Sequence, residues 1–389
     1  MVKYLRAANV KDGHLDLHDV MSMNFTLDEQ RLFSLRPGDV LVTEGSGSLT
    51  SVGASAVWQG ELNETVCFQN TLLRIRPLEG ITEGRFIGWW ARSAFGSGMF
   101  ASLAGGANIY HLSAERVRAT RLDLPPFEEQ RRIADFLDSE VAKASKFAEL
   151  RTRQLELIKE RHGAMLDIAI EEQARELGTI PFRRYIIGVE QGSSPQCDAV
   201  PASDDEWGVL KVSCLRPGHF SVEENKRLPE TESPIKTHEV QSGDLLITRA
   251  NTPALVGSTA VVPDIRHRLL LSDKIFRVRV DDAVDPRYIA AIAAGSYIRA
   301  LCSASSNGAS QSMANIRFED IKTWPIPGAD RSAQNTLVQR LSESRESLSA
   351  LEIAIKSQLD TLAERQQAVI TAAVTGKIDV STAWGTGVS

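Results

Sequence analysis

The sequence predicts an α+β protein built twice: two pseudo-symmetric globular domains separated by two long antiparallel coiled-coil-like helices. Three observations carry that expectation. A helix-length apolar pattern recurs late in the chain without a gap. The β-rich intervals preceding its two copies correspond segment by segment. The 42% apolar content of 389 residues supplies core for more than one domain.

The helical repeat is the clearest of the three. At a constant separation of 204 residues Gln130 meets Gln334, Ile133 meets Leu337, Leu137 meets Leu341, Leu155 meets Leu359, Ile158 meets Leu362 and Met165 meets Val369. The polar pair Glu160-Arg161 returns as Glu364-Arg365, so a repeated sequence is present and not merely a shared period. With 4-3 spacing, helix packing is assigned to Ile133, Leu137, Leu155, Ile158 and Met165 in the first copy and to Leu337, Leu341, Ile355, Leu359 and Leu362 in the second. Arg151, Arg345 and Glu352 interrupt a strict zipper. Pro125-Pro126 and Asp330 are natural helix starts, Gly178 and Gly376 natural stops.

The organisation that follows is residues 1–125 as a first domain, 126–178 as a central spacer helix, 179–328 as a second domain, 329–378 as a second spacer helix and 379–389 as a tail without regular structure. Within the domains YLRAANVKDGHL (4–15) answers VLKVSCLRPGHF (209–220), PGDVLVTEGSG (37–47) answers SGDLLITRANT (242–252), and GGANIYHLSAERV (105–117) answers SNGASQSMANIRFEDI (306–321). GDVLVT and GDLLIT read as short strands opened by Gly-Asp turns, while TVCFQNTLLRIRP and LLLSDKIFRVRV alternate as half-buried strands. EGRFIGWWARSAFGSGMFASL and DPRYIAAIAAGSYIRALCSA read as short helices, and the whole of each domain as a curved or barrel-like sheet with helices.

Composition excludes several classes. No apolar run approaches a membrane span and MVKYLRAANV lacks a secretory pattern, which points to the cytoplasm. Cys67, Cys197, Cys214 and Cys302 are too scattered for a zinc or disulfide framework and are expected as buried thiols. The net charge is -6, residues 1–127 hold 12 basic and 13 acidic groups, and residues 179–330 hold 17 and 19. DNA binding therefore needs charge sorted onto one face or supplied by partners. Of 44 basic residues 32 are arginine, the side chain suited to bidentate contact with guanine and phosphate. LPPF at 124–127 lacks the polar first residue of an amino-methyltransferase loop, AFGSG at 94–98 follows no clear strand, and there is no ATP-binding glycine loop, histidine metal motif or serine elbow. The chain is thus expected to be non-catalytic, without metal or cofactor.

What remains is a pair of polar loops after equivalent strands, TEGSGSLT (43–50) and TRANTP (248–253), with a second pair around Asn108 and around Ser310-Gln311. Their residue types reach phosphates and base edges, and their divergence suggests one design reading two things.

On these features the chain resembles the specificity subunit of type I restriction-modification systems over about residues 1–378. PPFEEQRRIADFL and the repeated helix ending in TAAVTGKID carry the resemblance most specifically. It implies target-recognition domains that each dock on one half of a split DNA target, helices that set the spacing, two methylation subunits that flip and methylate adenine, and motor-nuclease subunits using ATP. DNA contact is accordingly expected from Arg6, Thr43, Ser46, Lys211, Thr248, Arg249 and Asn251. Two departures stand out. The second half opens with PFRRYIIGVEQGSSPQC whereas the first begins almost directly at YLRAANV, so either the first domain is trimmed and less complete or a longer start is missing; and TWPIPGADRSAQ replaces the P-P-x-x-E-Q helix entrance. The alternative reading is a structural adaptor that bridges two partners without touching DNA.

Overall fold

The computed structural model describes every residue except 47, 49, 107–109, 306, 311–312 and 381–389, and gives no side chains at 46 and 307–310. The chain is α+β and separates into two compact units, Met1–Arg153 with Ala354–Ser389, and Gln154–Ile353. The division falls inside both long helices, Phe127–Leu177 and Arg331–Val374. The reason is burial: each unit uses the near part of both helices as one wall of its core.

In the first unit the strand Val40–Thr43 is buried on both faces and lies between Ser55–Val57 and Leu72–Ile75. An apolar run without alternation is what such a two-sided position requires. Val40 and Val42 face a core shared with Phe86, Trp89 and Phe100 and with Ile133, Leu137, Ile370 and Val374 of the long helices. Leu41, Ala56 and Leu72 face a second cluster with Leu5, Trp58 and Val66. Behind it, Val2–Leu5 pairs antiparallel with Met21–Met23 and parallel with Val66–Phe68. The runs read from sequence as a curved or barrel-like sheet are therefore divided among separate small sheets.

The second unit repeats this plan. Leu245–Thr248 lies between Thr259–Val261 and Ile275–Val280, with Leu245 and Ile247 facing the helices and Leu246 facing Leu210, Leu215 and Leu269. Gly208–Leu210 pairs antiparallel with Asn225–Arg227 and parallel with Leu269–Leu270. Among the described residues Ile186–Gln191 extends the second unit's sheet beyond Ile275–Val280, a position left open beside Leu72–Ile75 in the first unit. It comes from the PFRRYIIGVEQG stretch.

Each long helix is seated by a glutamine at equivalent depth. Gln130 accepts at 2.8 Å from the Glu83 backbone N–H and donates to the carbonyls of Ile81 and Pro125 at 2.9 Å each. Gln334 accepts at 2.8 Å from Asp285 N–H and donates to Ala283 and Ala329 at 2.9 and 2.8 Å. Both side chains are buried, and Glu83 and Asp285 in turn cap the helices Gly84–Gly96 and Pro286–Ala294. Asp330 caps the second long helix through Ala333 N–H at 2.8 Å, so the altered entrance keeps its capping geometry. Gly178 and Gly376 close the helices with φ of 70° and 67°.

Within the second unit the two helices run antiparallel, with His162 Nδ1 2.8 Å from Ser344 Oγ and Lys159 2.7 Å from Glu352. Ile133, Leu137, Leu337 and Ile355 are buried, and Leu155, Ile158, Leu341, Leu359 and Leu362 half-buried. Met165 corrects the expected seam. It is 51% exposed while Leu166 is 9% exposed. A straight α-helix drifts by about 20° per heptad, so four heptads after Leu137 a residue is displaced by about 80°, and its successor lies nearer the original face.

Cys67, Cys214 and Cys302 are buried and all four cysteines are free. Burial pushes the Cys214 thiol up to about 12 and Cys302 up to about 11, which keeps both protonated and inert. Among the described residues no helix is long and apolar enough to cross a membrane, and no cluster of potential metal ligands occurs.

Candidate nucleic-acid interface

The two loops expected at the DNA leave equivalent strands in equivalent ways. Thr43 N–H donates to Ala54 and Thr43 carbonyl accepts from Gly53; Thr248 N–H donates to Ser258 and its carbonyl accepts from Gly257, all at 2.9 Å. The next residue ties the strand to its neighbour, Glu44 N–H to Thr71 at 2.9 Å and Arg249 N–H to Lys274 at 2.8 Å. The following pairs then turn onto a second small ladder, Gly45–Ser46 with Tyr110–His111 and Ala250–Asn251 with Met313–Asn315.

Two glycines make these loops possible. Gly53 has φ 87° and a Cβ there would lie 2.6 Å from Phe100; Gly257 has φ 72° and a Cβ would lie 2.5 Å from Cys302 Sγ. The loop in each unit is thereby pressed against a helix.

The expected contact residues fall into two sets. Thr43 is 3% exposed, Thr248 is fully buried and Asn251 is 9% exposed. The Thr248 hydroxyl accepts from Ser258 N–H at 2.9 Å and donates to the Leu255 carbonyl at 3.1 Å, closing its own loop. Asn251 Oδ1 accepts from Thr252 N–H at 2.8 Å and its amide donates to Val212 carbonyl at 3.5 Å. These three side chains face inward because the turn consumes their polar atoms or covers them. The expectation that they present themselves at a surface does not fit this placement.

Arg6, Lys211 and Arg249 are half-buried cations. Arg6 pairs with Asp19, and Lys211 lies 3.0 Å from Glu224. The Ser213 hydroxyl and then the Lys211 ammonium hold the Glu224 carboxyl below its usual range. Arg6 and Lys211 occupy the same place in the two units, each preceding a single 3-10 turn, Ala7–Asn9 and Val212–Cys214. Arg249 has a buried Nε without a hydrogen-bond partner among the described residues. Ser46 is placed by its backbone pairing with Tyr110. Asn108 and Gln311 lie outside the described residues, and Ser310 is described by its backbone in the strand Asn307–Ser310.

The first unit also brings the turn after Arg6 and the loop after Thr43 to one place. A cleft of about 380 Å³ is lined by Ala7, Lys11, Asp12, Thr43, Thr50 and Ser51. Lys11 was not singled out from sequence, because nothing local distinguishes it from a solvated turn lysine. In the second unit the Asn251 amide reaches Val212, the residue after Lys211, and joins the corresponding two segments. The arrangement can present cations and loop backbone side by side, which suits phosphate and base-edge contact.

Comparison with known proteins places this geometry. The chain is 28% identical over 305 residues to the EcoKI specificity subunit of type I restriction enzyme from Escherichia coli K12, covering 73% of this chain and 63% of that protein. It is 34% identical over 143 residues to the EcoEI specificity subunit of Escherichia coli, covering 36% of this chain and 24% of that one. The chain thus spans less than two thirds of the length of these curated relatives. No family model matches. Among solved structures, a chain of a type I restriction-modification system studied for complex assembly and conformational transition superposes with TM-score 0.70 over 97% of this chain and 92% of its own, at 16% identity. The HsdS subunit of Thermoanaerobacter tengcongensis superposes with TM-score 0.54 over 97% and 91%, at 16% identity. The resemblance to the specificity subunits of type I restriction enzymes, read first from the residues, therefore holds in the sequences of curated relatives and in the fold of solved ones.

Proposed function

We propose that this chain is the non-catalytic DNA-recognition subunit of a type I restriction-modification complex, each unit reading one half of a bipartite double-stranded target. The observation that carries the reading is the duplicated loop: the same backbone bonds in both units hold different side chains, Glu44 against Arg249 and Gly45 against Ala250. A scaffold held constant while its presented residues diverge is what two half-site readers require. Direct contact is assigned to Arg6, Ser46, Lys211 and Arg249, with Thr43, Thr248 and Asn251 shaping the loops from beneath. Arg6 and Lys211 exchange Asp19 and Glu224 for phosphate on binding.

The long helices set the spacing of the two half-targets and dock two methylation subunits, with motor-nuclease subunits joining that assembly. Apolar side chains left exposed on the first helix support docking: Phe147 and Leu150 in the first unit, and Leu157, Met165 and Ile168 in the second. Methyl transfer to adenine and ATP-driven cleavage belong to the partners, and the working compartment is the cytoplasm.

The test is reconstitution with methylation subunits. Arg249→Ala is expected to weaken methylation at the cognate site by about 1–3 kcal/mol, roughly fivefold to 160-fold, without loss of folding. Parental methylation by that variant removes the assignment. Methylation indifferent to every loop substitution favours the adaptor reading instead.

A further inference from the structure

A cavity of about 520 Å³ in the second unit is lined by Ala291 and Ala294 of the helix Pro286–Ala294, by Leu341, Ser342 and Arg345 of the second long helix, and by Gly218 of a hairpin. The first unit has an equivalent for each of these positions. The seating glutamines bind Glu83 and Asp285 alike, so Trp89 corresponds to Ala291 and Arg92 to Ala294. The helix repeat sets Asp138 against Ser342 and Val141 against Arg345, and the hairpins set Asp12-Gly13 against Pro217-Gly218.

In the first unit the space is filled. Trp89 is 8% exposed, and its Nε1 donates to Asp138 at 2.9 Å. The Arg92 guanidinium lies 4.6 Å from the centre of the Trp89 ring and against Gly13, and donates to the two Asp12 oxygens at 3.2 and 3.3 Å. An indole, a guanidinium and a carboxylate thus close the gap between helix and hairpin. In the second unit Ala291 removes the ring, Ala294 the helix's own arginine and Pro217 the carboxylate. Only the cation is restored: Arg345 reaches from the long helix to lie against Gly218 and donates to its carbonyl. Arg345 is exposed at the cavity and has no ion-pair partner among the described residues. Arg287, on the same wall, is already held by Asp285 at 2.7 Å.

We propose that this cavity binds a small planar aromatic acid, its ring against Ala291, Ala294 and Leu341 and its carboxylate against Arg345. Such a molecule carries the two groups that the second unit lacks, the flat ring of Trp89 and the counter-ion of Asp12. Apolar walls with a few convergent polar groups make a small-molecule site, and the volume lies inside the usual range of about 300–1,000 Å³. The first unit shows that the fold accepts an indole at this place beside a guanidinium, and a carboxylate is the strong partner for an arginine left without one.

The probes are indole-3-acetate and tryptamine, which share the ring and differ in the sign of their charge, each titrated into the full chain by isothermal calorimetry. Saturable binding of one indole-3-acetate per chain is expected, about tenfold or more tighter than tryptamine. Arg345→Gln is expected to remove that preference, and Ala291→Trp, which supplies the ring from the chain itself, to remove binding. No saturation at millimolar indole-3-acetate, equal affinity for the two probes, a preference that survives Arg345→Gln or binding that survives Ala291→Trp overturns the proposal. So does displacement of the probe by added methylation subunits, which assigns the cavity to an aromatic side chain of a partner. The paired probes decide the question on the unaltered chain even if Ala291→Trp folds poorly.

Discussion

Gln130 and Gln334 show how much one side chain can hold. Each satisfies one backbone N–H and two carbonyls at a helix start from a buried side chain. Replacement by alanine leaves those groups unpaired in a closed site, at a cost of about 1–3 kcal/mol for each group left without a partner. Gln130→Ala and Gln334→Ala are therefore each expected to lower the denaturant midpoint clearly, and equilibrium unfolding followed by circular dichroism measures it. Unchanged midpoints would mean water replaces the amide without loss. The correspondence of the two glutamines was legible in the sequence as a matched pair within the repeat. Their function was not, because the groups they satisfy at Glu83 and Asp285 lie 47 and 49 residues away and only the folded chain brings them close. The same limit applied to Thr43 and Thr248, whose residue type signals a polar surface while the Gly53 and Gly257 turns fold over them.

At the level of elements, apolar pattern decided what could be read. Long helices with caps and stops were visible from end to end, and doubly buried strands such as Leu245–Thr248 announced themselves as unbroken apolar runs. The face of a helix was harder, since a 3.5-residue repeat imposed on a straight helix slips by most of a residue in about four heptads. Leu166→Ala is expected to cost at least about 2 kcal/mol and Met165→Ala to stay within about 0.5 kcal/mol, measured by denaturation of each variant. Equal costs would restore the original seam. The strand Ile186–Gln191 gives a pH prediction. Hydrogen bonding from Arg277 holds the Glu190 carboxyl below the ordinary value of 4.5. Because the folded value is depressed, its stabilisation is complete above that pH and is lost as pH falls through the lower folded value. The stability gap between the parent chain and Glu190→Gln is thus expected near neutrality and should close in acid. A gap that persists at low pH contradicts the ion pair as its source.

For the whole molecule, duplication is the organising fact. Two units were legible from matched segments, but the boundary between them was not, because a helix that continues unbroken gives no composition signal where its packing partners change. The fold follows from the repeated apolar pattern; the target bases do not, since the presented residues diverge between units. Single-molecule sequencing of methylated adenines, in cells carrying the parent gene, a deletion or the Arg249→Ala substitution, tests the central claim most directly. The account predicts a bipartite motif that disappears on deletion and that Arg249→Ala relaxes or weakens in one half only. A motif unchanged by deletion, or one altered equally in both halves by Arg249→Ala, contradicts it.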